Sequence, residues 1–127
     1  MDNSTAAQGR SLRARAQGAQ TEKLGRALAA LDPALLDWAD GFIFGQVWAE
    51  DDVISFEDRM LVAVVALAST GKETQLRNYL HGALQAGLDP GRLHEALKML
   101  VVYTGFPTGL SALGVLHEVR AKYESTS

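Results

Sequence analysis

The chain contains no cysteine, so disulfides, thiolate nucleophiles and redox dithiols are excluded within it. Its longest apolar run, Met60 to Ala68, falls far short of the roughly 18–20 residues that cross a bilayer. No membrane partner is expected. Basic residues are not in excess: 12 Lys and Arg against 15 Asp and Glu give a formal net charge of -3, which argues against nucleic acid as a partner. The N-terminus has no apolar stretch of the signal-peptide type, and a cytoplasmic location is the expectation. No segment combines strand alternation with turn chemistry. Neither a GxxxxGK loop nor a GxGxxG turn occurs. The three histidines, His81, His94 and His117, offer no i, i+4 pair, so no metal is expected. No serine lies on the strained turn that a nucleophilic triad needs.

What remains is an apolar share of 47% in 127 residues, enough for one packed domain. The pattern is helical almost throughout. Residues 1–20 read as a flexible polar arm made basic by Arg10, Arg13 and Arg15. Such an arm either frays or packs on a neighbouring subunit. Residues 21–127 read as a single helical domain. Leu24, Leu28 and Leu31 mark a helix over 21–31. Asp32-Pro33 and Asp89-Pro90 each supply a cap followed by a proline in the first helical position. Gly41 and Gly45 weaken the helix begun at Asp32. Ser55 to Asp58 opens a helix that is apolar almost all round from Leu61 to Ala68, as expected of a central helix or one covered by a partner chain. Gly71 and Gly87 stop helices, and Thr104 to Pro107 breaks the chain before a last helix. About six helices result, an all-α fold.

Within this frame His81 is the most informative group. Glu73, Arg77 and His81 stand at i, i+4, i+8, on one helix face bordering the stripe of Leu76, Leu80 and Leu84. Two readings are open: a surface helix with a Glu–Arg pair and an incidental histidine, which the pattern alone favours, or a half-buried imidazole suited to acid–base work. Arg59 stands near the start of a very apolar helix, where a guanidinium usually finds a carboxylate from protein or substrate. Phe42, Phe44 and Trp48 fit a core or interface better than a ligand pocket, and Tyr103 ends a helix.

Taken in order, these residues resemble the carboxymuconolactone decarboxylase family. The resemblance rests on Phe44-Gly45-x-x-Trp48, on Arg59 followed by the apolar run Leu61 to Ala68, and on Gly71 and Leu76. It continues through His81-Gly82-Ala83-Leu84-x-x-Gly87, Glu95 and Tyr103-x-Gly105-Phe106-Pro107. The family's peroxidase-like branch resembles Cys-x-x-Cys-x-x-x-His; counted back from His81, the cysteine positions hold Arg77 and Thr74, so peroxidase chemistry is excluded. The resemblance implies an AhpD-like all-α bundle that assembles into a homo-oligomer, a trimer or hexamer. It implies a cofactor-free carboxy-lyase of aromatic catabolism acting on a carboxylated lactone. Loss of CO2 there leaves electrons that delocalise onto the lactone carbonyl, so the protein need only hold the carboxylate, stabilise an oxyanion and return a proton. On that reading His81 is the acid–base group, and Arg59 or Arg77 holds the carboxylate. Trp48, Phe44, Tyr103 and Glu73 are the expected substrate-binding residues. The alternatives are a related lyase, isomerase or cyclase of a biosynthetic pathway, or a non-catalytic oligomeric binding protein.

Overall fold

The structure, a computed structural model, describes residues 3–126. Residues 1 and 2 of the expected arm, and residue 127, lie outside the described residues. Among the described residues the secondary structure is entirely helical: α1 (Asn3–Gln17), a 3-10 turn (Gly18–Gln20), α2 (Thr21–Leu31), α3 (Pro33–Trp38), a π-helix (Ala39–Val47), α4 (Phe56–Ser69), α5 (Glu73–Gln85), α6 (Pro90–Tyr103) and α7 (Phe106–Thr126). Where a polar arm over 1–20 and one domain over 21–127 were expected, contacts group the chain into two compact units, residues 1–56 and 57–127.

In the first unit α1 packs chiefly on the π-helix. Its sequence carries no apolar stripe, and the contact is made by other means. A Cβ at Gly9 would lie 1.7 Å from the Asp40 carbonyl oxygen and 2.7 Å from the Gly45 nitrogen, so only glycine permits this backbone approach. Arg13, 4% exposed, then reaches Asp40 through Nε at 2.7 Å. Its Nη1 donates to Gln17 Oε1 at 3.0 Å and to the Thr21 carbonyl at 3.1 Å. Ala16, Ala39, Phe44 and Phe56 are the buried apolar side chains of this unit among the described residues. The helix begun at Asp32 holds α geometry only to Trp38, and Gly41 and Gly45 fall in the wider π stretch that follows.

The second unit follows its periodicity closely. The stripes Leu76–Leu80–Leu84 of α5 and Leu93–Leu97–Leu100 of α6 are buried, as are Val115, Leu116 and Val119 of α7. Each fully buried leucine contributes about 1.5–3 kcal/mol. α4 buries Met60, Val64 and Ala68 and leaves Val62 exposed. The expected stops hold. Gly71 has φ +72°, with Lys72 N–H donating to the Leu67 carbonyl at 3.0 Å. Gly87 has φ +93°, with Leu88 N–H donating to the Ala83 carbonyl at 3.0 Å. Asp32 and Asp89 cap as expected, accepting from Ala34 N–H at 3.0 Å and Gly91 N–H at 3.1 Å. α7 packs against both α6 and α5.

Candidate functional site

The row expected along α5 is present, and its members meet different surroundings. Arg77 donates through Nη2 to Glu118 of α7 at 2.7 Å, with side-chain exposures of 41% and 63%. One turn on, His81 is half-buried and stands edge-on to Tyr123 of α7, ring centroids 6.3 Å apart at 80°. The two contacts ascend both helices together, so α5 and α7 run in the same direction. Glu73, at the start of α5, lines a cavity of about 390 Å³ between the end of α4 and the starts of α5 and α7. Its walls include Leu67, Leu76, Ala112 and Val115, and its polar groups include Lys72, Thr108 and Ser111.

The other expected site residues are dispersed. Arg59 is half-buried on α4 with its Nε shielded from solvent. Tyr103, the last residue of α6, is 76% exposed. Phe44 and Trp48 belong to the first unit, where Trp48 packs against Phe44 at 5.1 Å and Phe56 at 5.8 Å between ring centroids. Arg15 caps this aromatic group, its guanidinium 3.9 Å above the Phe56 ring. A second cavity, of about 680 Å³, lies within the first unit and is lined by Arg10, Arg13, Arg26, Asp37 and Asp40 among others. Of the expected residues Glu73 lines the smaller cavity; His81, Arg59, Arg77, Trp48, Tyr103 and Phe44 line neither.

The face carrying Arg77 and His81 offers a guanidinium, an imidazole and a carboxylate within about two helical turns. That set can hold an anion and move a proton. The model of the carboxymuconolactone decarboxylase family matches residues 33–118, more than half of the chain. The protein belongs to this family. Its matched segment runs from α3 into α7 and includes α5 with the Arg77–His81 face. Among curated proteins the chain is similar to the 4-carboxymuconolactone decarboxylase of Acinetobacter baylyi, 28% identical over 78 residues. That match covers 61% of this chain and 58% of the relative. The family segment leaves out α1 and α2, so Arg13, Gln17 and Thr21 and most of the larger cavity's lining lie outside it, whereas Asp40 lies inside.

Several contributors were not foreseen from sequence. Glu118 and Tyr123 meet α5 across 41 and 42 positions of chain, and no spacing rule connects residues that far apart. Lys72, Thr108 and Ser111 sit at helix starts, where composition alone reads them as ordinary solvated residues.

Proposed function

We propose that the protein is a cofactor-free carboxy-lyase acting on a small carboxylated lactone of the 4-carboxymuconolactone type. The observation that carries the reading is that Arg77 and His81 stand one turn apart on the half-buried α5 face turned to α7, inside the family segment. The Arg77–Glu118 pair is exposed, and such pairs contribute only about 0–1 kcal/mol. Glu118 is therefore cheaply exchanged for a substrate carboxylate. With the carboxylate held, the bond from the ring carbon to the carboxyl carbon breaks and CO2 departs. The electron pair passes through the alkene to the lactone carbonyl oxygen. His81, as imidazolium, returns one proton to carbon, and solvent reprotonates it. Arg59, half-buried on α4, is the alternative anchor for the carboxylate. A trimer or hexamer is the proposed assembly.

The test is turnover of 4-carboxymuconolactone by the purified chain, followed by CO2 release. Loss of a positioned proton donor costs about 10²–10⁴ in rate. His81→Ala is expected to lose turnover on that scale with unchanged helicity, and Arg77→Gln to raise KM. Full turnover in His81→Ala would remove the histidine from the mechanism. The two cavities that His81 does not line favour a second reading, a binding protein that keeps the fold without the reaction. Wild-type protein inert on the lactone would support it.

A further inference from the structure

We infer that the cavity between the end of α4 and the starts of α5 and α7 is a binding site for a small apolar monocarboxylate, separate from the Arg77–His81 face. Its volume of about 390 Å³ lies at the lower end of small-molecule sites. Leu67, Leu76, Ala112 and Val115 give it an apolar wall. Lys72 is its cation, and among the described residues that ammonium makes no ion pair, only a 3.3 Å bond to the Thr70 carbonyl. The Thr108 and Ser111 hydroxyls also line the cavity, and among the described residues neither is engaged in a hydrogen bond.

The charge pattern selects the ligand. One ammonium with two hydroxyl donors suits one carboxylate. Glu73, lining the same cavity, repels a second negative charge, so a dianion such as a phosphate monoester or dicarboxylate is disfavoured. The apolar wall takes a compact ring or short chain. Lys72 precedes His81 by nine residues, which at 1.5 Å per residue places them about 13 Å apart along α5. One small ligand seated on Lys72 does not reach the imidazole. The site therefore stands whether or not the lyase reading holds.

Benzoate, benzamide and phthalate serve as probes, each titrated into the full chain and followed by backbone amide shifts. Benzoate is expected to shift the amides of residues 72–76 and 108–115 saturably, at least tenfold more tightly than benzamide or phthalate. Lys72→Met should erase the preference of benzoate over benzamide, Ser111→Leu should block both, and Arg77→Gln should change neither. Saturable shifts centred on Arg77, His81 and Glu118 would overturn the inference. So would equal binding of benzoate and benzamide, or no saturable shift at millimolar probe. Binding at this cavity by a protein inert on the lactone would sink the lyase reading and leave the site.

Discussion

Replacing Asp40 by alanine strips the buried Arg13 guanidinium of its carboxylate. Arg13 and Asp40 are 4% and 8% exposed, and their 2.7 Å contact ties α1 to the π-helix. The truncation leaves a buried cation with two neutral acceptors, Gln17 Oε1 and the Thr21 carbonyl. Breaking a buried pair from one side costs about 3–5 kcal/mol. Both residues also line the 680 Å³ cavity, so entering water relieves part of that cost and the lower end applies. Urea denaturation is the assay. With a slope near 2 kcal/mol/M, about 3 kcal/mol moves the midpoint down by about 1.5 M. Both tryptophans, Trp38 and Trp48, lie in the first unit, so their fluorescence reports the unit that loses the pair. Removing both charges as Arg13→Met with Asp40→Leu leaves no unpaired ion, and the double variant should be more stable than Asp40→Ala. The exposed pair Arg92–Asp58 of the second unit, 3.2 Å apart, is the control, with unfolding followed by far-UV circular dichroism: Asp58→Ala should cost no more than about 1 kcal/mol. If Asp40→Ala costs no more than that control, or the double variant loses the sum of the two single losses, the buried-pair reasoning fails.

Gly9→Ala drives a methyl into the Asp40 carbonyl, a backbone atom that cannot swing aside. It should destabilise by about 2–3 kcal/mol or more. Gly114→Ala in α7, where a Cβ meets nothing within 4 Å, should stabilise by about 0.5–1 kcal/mol in urea denaturation followed by far-UV circular dichroism. Lys98 hydrogen-bonds Glu95 and holds its carboxyl below the usual carboxylate range. A lowered folded-state value favours the fold above the ordinary glutamate range and loses that preference as pH falls through it. Any stability gap between wild type and Glu95→Gln should accordingly shrink on acidification of a thermal melt, and a widening gap would contradict the assignment. The corner of α6 and α7 exposes Val102 at 73%, Tyr103 at 76%, Phe106 at 62% and Leu110 at 58%. Light scattering should give a multiple of the monomer mass, reduced by Val102→Glu with Phe106→Glu; a monodisperse wild-type monomer would refute the homo-oligomer.

The second unit was legible because its helices are specified locally. Each has an apolar stripe at i, i+4, i+7, and the stops at Gly71 and Gly87 need φ > 0, which glycine alone supplies cheaply. The aspartate–proline starts at 32 and 89 use a short-range bond that sequence shows directly. α1 was not legible for the converse reason. Its register on the π-helix rests on a missing side chain at Gly9 and on an ion pair spanning 27 positions. A polar segment rich in Ala, Gln and Arg looks like a loose arm until its Asp40 partner is placed. The π stretch was half visible: Gly41 and Gly45 argued against a regular α-helix without saying what replaces it.

For the candidate site the same division has a sharper consequence. Periodicity correctly groups Glu73, Arg77 and His81 on α5, since that grouping is a property of one helix. It says nothing of what each residue faces, which depends on α4 and α7. Glu73 opens on a cavity, Arg77 meets Glu118, and His81 meets Tyr123. Three residues in one row thus divide between two environments, a cavity at the start of α5 and a helix–helix contact further along it. An assay on His81 variants alone would miss the first, and a carboxylate titration alone would miss the second. Lys72→Met and His81→Ala, measured for both binding and turnover, separate them: loss of turnover with intact cavity binding assigns the chemistry to the Arg77–His81 face, whereas loss of both in Lys72→Met moves the substrate into the cavity and away from the imidazole.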